Sequence, residues 1–110
     1  MLGGQKILLR VSREEVIKRL KSFKERATLM WPSITQVLLI GSVASNTHTA
    51  RSDVDVVVIY KGKEPDYAPL KELLSECVKL PADLIVIEKG RLTRLSNKVR
   101  EEWFEKGIII

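Results

Sequence analysis

Two groups of residues able to do chemistry lie close together in this chain. Gly41-Ser42 directly follows the apolar run Val37-Leu38-Leu39-Ile40, and Asp53-Val54-Asp55 leads into Val56-Val57-Val58-Ile59-Tyr60. Glycine after a strand allows a tight turn and close approach of the backbone to a ligand. Ser42 adds a hydroxyl, and a short helical turn beginning there would aim its N–H groups at an anion. Along a strand the period of two puts the Asp53 and Asp55 carboxylates on one face, where a hard divalent cation such as magnesium finds clustered oxygens. Each half also has an ordinary reading, since Gly-Ser after a strand and Ser-Asp before one are common turn and cap chemistry. The combination is more telling. Asp55 interrupts a β-branched run that reads as a buried strand, where an unpaired carboxylate is costly, and a bound cation accounts for both acids.

Composition leaves these acids as the main catalytic candidates. Cys77 is the only cysteine and His48 the only histidine among 110 residues, which excludes an internal disulfide, a cysteine-based zinc site and histidine-rich metal chemistry. His48 is expected to line the loop with Thr47 and Thr49, without a chemical role. Arg51 is a candidate phosphate contact, against the plain alternative of an exposed loop arginine.

Length, 45% hydrophobic and 30% charged residues fit one globular domain over 1–110. No apolar run approaches a bilayer span and Met1-Leu2-Gly3-Gly4 lacks signal-peptide organisation, so a cytoplasmic location is expected. A net charge of +5 and a pI near 9.5 suit an acidic partner such as nucleotide or RNA, although solubility alone explains so modest an excess. Residues 12–31 and 89–106 each carry six Lys/Arg against three Asp/Glu, so the bias lies on two helical segments whose basic faces have simple solvation as the ordinary explanation.

The elements that must position the acids follow from periodicity. Lys6-Ile7-Leu8-Leu9-Arg10 fits a short edge strand or an extended arm. Ser12-Arg13-Glu14-Glu15 has the form of a capping box, and Val16, Leu20, Phe23, Ala27 and Met30 then mark one helical face that Pro32 ends. Val37–Ile40 reads as a strand covered on both sides, Val54–Tyr60 as a second strand, and Tyr67, Leu70, Leu73, Leu74 and Cys77 as a helical stripe. Asp83–Ile87 reads as a third strand with an acid at its start, although Asp83 also suits a cap on the turn at Pro81. Leu92, Leu95, Val99 and Trp103 mark a last helix stopped by Gly107, and Ile108-Ile109-Ile110 adds an edge strand or covers an interface. Ser42 leaves the end of one strand while Asp53 and Asp55 lie at the start of the next, so the two must be antiparallel to meet. Asp83 joins them only if its strand runs parallel to the second, with the helix after Pro65 as crossover. The fold class is therefore α/β (α+β), a mixed sheet flanked by helices with the site at one edge.

Gly41-Ser42, ten intervening residues and Asp53-Val54-Asp55 resemble the signature of the DNA polymerase beta nucleotidyltransferase superfamily. The short chain is most similar to minimal nucleotidyltransferases, the MntA-like antitoxins of HEPN toxin–antitoxin pairs, over about Val16 to Gly107. The resemblance implies a nucleotidyltransferase fold in which Asp53 and Asp55 bind two magnesium ions, Asp83 is the third carboxylate, and Gly41 and Ser42 hold the phosphates. It further implies ATP or another nucleoside triphosphate as substrate, transfer of AMP to a hydroxyl, and a HEPN protein as partner. The alternative is an inactive member that neutralises its partner by contact; a small RNA-binding protein is a third, which lacks clustered aromatics for stacking. Val43 and Ser45 stand where members often carry arginines, and Asn46 stands near a glycine position, where asparagine tolerates a left-handed backbone.

Overall fold

The computed structural model describes residues 11–49 and 51–110, so the proposed strand or arm at 6–10 lies outside the described residues. The first helix, α1 (Arg13–Met30), starts where Ser12 Oγ accepts the Glu15 N–H at 3.1 Å. Only this half of the capping box forms, because the Glu15 carboxylate accepts instead from Arg19 Nε at 3.0 Å, one turn on. Val16, Leu20, Phe23 and Ala27 are buried as the period requires, but Met30 is 60% exposed because the helix ends there, past the sheet it covers.

Strand β1 (Ile34–Ile40) runs into a single helical turn, α2 (Gly41–Ala44); β2 (Val54–Tyr60) follows, then α3 (Tyr67–Val78) and β3 (Ala82–Glu88). The sheet order is β3-β2-β1-β4, where β4 is Ile108–Ile109. β1 pairs antiparallel with β2 and β4, and β2 pairs parallel with β3 across the α3 crossover. This is the mixed sheet that the meeting of the acids demands.

Val37, Leu38 and Leu39 are fully buried because both faces of β1 are covered. Val37 and Leu39, with Val56, Val58 and Leu84, pack under α1 and α3; Leu38, Val57 and Ile59 pack under Trp103 on the other face. Each buried aliphatic side chain contributes about 1.5–3 kcal/mol of transfer free energy. In α3, Leu70, Leu73 and Leu74 are buried and Cys77 is partly so, whereas Tyr67 is 50% exposed and donates its hydroxyl to the Leu84 carbonyl at 3.1 Å.

The expected last helix is broken into two. Lys89–Arg94 forms a 3-10 turn, and Ser96 then caps a new start by accepting the Val99 N–H at 3.2 Å. Helix α4 (Asn97–Arg100) continues as a π-type turn over Glu101–Glu105. Leu92, Leu95, Val99 and Trp103 nevertheless share one apolar cluster on the sheet, so the stripe is real although the helix is interrupted. Gly107 then lets the chain pass close to the sheet: a Cβ there would overlap the Trp103 carbonyl oxygen and lie 3.1 Å from that of Leu39.

Candidate functional site

The carboxylates gather where β1 ends and β2 and β3 begin. Ile40 is opposite Asp55 in the antiparallel ladder, Asp55 is beside Asp83 in the parallel one, and the Val54 N–H donates to the Pro81 carbonyl at 2.9 Å. Asp83 is thus the second residue of β3, at the level of Asp55, and not a cap on the preceding turn. Asp55, Val57 and Ile59 alternate with Val54, Val56 and Val58, which places Asp55 on the sheet face shared with Trp103.

At the end of β1 the chain reverses through Gly41, whose φ is +77°. A Cβ on this residue would overlap Oδ2 of Asp55 and lie 3.3 Å from its Cγ, so absence of a side chain is what brings the turn against the carboxylate. Among the described residues no side chain caps the start of α2. The expected helical turn after Gly41-Ser42 is present, and Asn46 takes the left-handed conformation at φ 61°. Val43 is buried in the core, while Ser45 Oγ donates to the Gly41 carbonyl at 2.9 Å.

Two residues that spacing did not single out hold this loop. Arg13 Nη1 donates to the Ala44 carbonyl at 3.1 Å, tying the start of α1 to the end of α2. His48 is buried, with Nε2 2.6 Å from the Val11 carbonyl oxygen. Both links join residues more than thirty positions apart, and no local pattern announces them. Arg51 is exposed; its backbone N–H is held by Thr49 Oγ1 at 3.3 Å, and among the described residues its guanidinium makes no ion pair.

Electrostatically the cluster is uncompensated. Asp55 is half-buried, Asp53 and Asp83 are exposed, and among the described residues no Lys or Arg pairs with any of them. Burial first, then the charges of Asp83 and Asp53, and lastly a hydrogen bond to Asp83 push the Asp55 carboxyl above its ordinary value of 3.8. Hard oxygen donors crowded in this way fit a divalent ion chemically. Among the described residues no three acidic, histidine or cysteine side chains already converge on one ion position, so binding would require small side-chain rotations, easiest for the exposed Asp53.

A stability prediction follows from that crowding. Because the folded state raises the Asp55 pKa, folding binds a proton more tightly than the unfolded chain does; stability present below 3.8 is lost as pH rises through the raised value. Asp55→Asn should therefore stabilise the fold in chelator near neutral pH, by about 0.5–1 kcal/mol at the midpoint for a partly screened group, and so raise the melting temperature. Thermal melts below pH 3.8 should show no such gain. A variant that melts lower near neutral pH would show that Asp55 is compensated in the fold.

Solved structures share this architecture. A candidate nucleotidyltransferase from Sulfolobus solfataricus matches with a TM-score of 0.60 and 21% identity, over 88% of this chain and 80% of its own. A toxin–antitoxin structure with AMP-PNP matches with a TM-score of 0.56 and 20% identity, over 90% and 72%. A mutant MntA–HpeT toxin–antitoxin matches with a TM-score of 0.54 and 20% identity, over 92% and 72%. No curated protein matches the chain significantly. At such identities the structural likenesses show the fold alone. The sequence itself goes further, because residues 16–110, which take in the turn, all three acids and the C-terminal segment, match the model of the nucleotidyltransferase domain family, and the chain belongs to that family.

Proposed function

We propose that the protein is a magnesium-dependent nucleotidyltransferase that moves AMP from ATP to a hydroxyl on a partner protein. The observation that carries this reading is the packing of Gly41 against Asp55 with Asp83 beside it in the parallel register, which sets the Gly41-Ser42 turn next to paired carboxylates. Gly41 and Ser42 would bind the triphosphate through backbone N–H groups and the hydroxyl, and Arg51 is free to turn toward it. Asp53, Asp55 and Asp83 would hold two divalent ions; when bound, these neutralise charge on the attacking and departing oxygens. The acceptor oxygen bonds to the α-phosphorus as the bond to the bridging oxygen of the β-phosphate breaks. Pyrophosphate leaves, and the acceptor proton passes to Asp83.

The partner in this reading is a HEPN-domain toxin, with the present chain as a one-domain cytoplasmic antitoxin. Its support is the signature in residues 41–55 together with the shared fold of toxin–antitoxin structures, one of them with AMP-PNP. Among the described residues, no helix is long and apolar enough to cross a membrane. A second reading, an inert binder of the same partner, draws on Val43 being buried in the core and the Ser45 hydroxyl being tied to Gly41, which leaves those positions without phosphate-binding charge.

Calorimetric titration with ATP, with and without magnesium, tests the site. Binding should require magnesium and weaken at least about tenfold in the Asp53→Asn plus Asp55→Asn variant, as expected when the oxygens holding a hard ion lose their charge. Binding indifferent to both changes would move the nucleotide site elsewhere.

A further inference from the structure

Residues 89–100 contain five Lys/Arg and no Asp or Glu, and the chain as a whole has a net charge of +5, so the remainder is balanced and this segment carries the entire excess. Lys89, Arg91, Arg94, Lys98 and Arg100 are all exposed, and none makes an ion pair among the described residues. Solvation of a basic helix is the ordinary explanation of such a run, but here the charge borders an apolar groove. Leu92, Thr93, Arg100 and Phe104 line a hollow of about 320 Å³, and Phe104, 37% exposed, forms an apolar wall. Two of its lining residues are linked where Arg100 Nε donates to the Leu92 carbonyl at 3.3 Å, across the break between the 3-10 turn and α4.

We propose that this groove docks a protein partner through an amphipathic helix carrying acidic and large aliphatic side chains. This rests on the partner half of the reading above and is independent of whether the carboxylates transfer a nucleotide. Charge complementarity selects the acids, and the Leu92–Phe104 hollow selects an aliphatic anchor. A nucleic acid would also meet the charge, but one partly exposed aromatic offers no stacking platform for successive bases. The position suits an acceptor as well. Leu92, Leu95, Val99 and Trp103 lie on the sheet face that bears Asp55, and Asp83 near the start of β3 is separated from Lys89, just past the strand's end, by roughly 20 Å at ~3.3 Å per residue. A docked helix of about 13 residues, at ~1.5 Å each, spans that distance.

The test is fluorescence anisotropy on the full chain, with three labelled probes. These are a designed helical peptide with a Glu/Leu face, the same peptide with each Leu replaced by Ser, and a single-stranded RNA of equal charge. The Glu/Leu peptide should bind at least about tenfold tighter than either control, because both the charge and the anchor are used. Arg94→Glu with Lys98→Glu should weaken it about tenfold, and Phe104→Ser should weaken it about threefold or more while leaving the salt dependence in place. All of these side chains are exposed, and unchanged magnesium-dependent ATP binding in each variant reports that the fold and the nucleotide site remain intact. Equal binding of the serine peptide would overturn the anchor, tighter binding of the RNA would make the surface a nucleic-acid site, and peptide binding that survives the variants, or is absent in wild type, would remove the docking role.

Discussion

Asp83→Asn is expected to lower transfer of AMP by about a thousandfold or more while changing magnesium-dependent ATP binding by less than about threefold, the signature of a group used mainly in the transition state. The argument is positional. Asp53 and Asp55 belong to the mouth of β2, close to the turn that would hold the phosphates, whereas Asp83 stands one strand further out, beside Asp55 and exposed. An acceptor approaching over the β3 edge of the sheet would meet Asp83 before Asp55. Asparagine keeps the size of the side chain but can neither accept a proton nor offer a charged oxygen to an ion. Incubation with labelled ATP, magnesium and the candidate HEPN partner, followed by mass spectrometry of that partner, reads the outcome. Label that survives Asp83→Asn removes this residue from the chemistry. A wild-type protein that binds ATP and never labels the partner, under any nucleotide or metal, is the inert antitoxin.

The strands were legible in the sequence because their burial is two-sided. Val37–Ile40 and Val54–Tyr60 read as apolar whatever face they present, and the strands found there include those bounds. The direction of β3 was recoverable from chemistry, since only a parallel β3 brings Asp83 level with Asp55. Helical faces were legible except at their ends: Met30 and Tyr67 fit their stripes but lie in terminal turns, where the covering surface stops. The break in the last helix is not legible, because Leu92, Leu95, Val99 and Trp103 keep a helical spacing across the new start that Ser96 makes by capping. Within the site, the turn and the acids announced themselves by type and spacing. The supports of the loop, Arg13 and His48, did not, because each acts through a backbone carbonyl of a distant segment, and carbonyls leave no trace in a sequence.

Gly41→Ala is expected to lower stability and to abolish nucleotide binding, through two separable effects. The first is conformational: at φ +77° an alanine sits in a left-handed region, at a cost of roughly 1–3 kcal/mol. In a domain of this size that is about 4–8 °C of melting temperature per kcal/mol. The second is steric. The added methyl overlaps Oδ2 of Asp55, and since Val54 and Val56 anchor β2 in the core, the carboxylate and not the strand must move. Movement away from Gly41 carries Asp55 out of its place between the turn and Asp83, so nucleotide affinity should fall further than the strain alone would cause. A double-mutant cycle separates the two effects. In an Asp55→Ala background, Gly41→Ala should retain the conformational cost but lose the steric one, giving a smaller loss of melting temperature than in wild type. If the two losses are equal, the contact with Asp55 carries no energy and the glycine is required by its backbone alone; if Gly41→Ala binds ATP and magnesium as wild type does, the turn does not hold the phosphates.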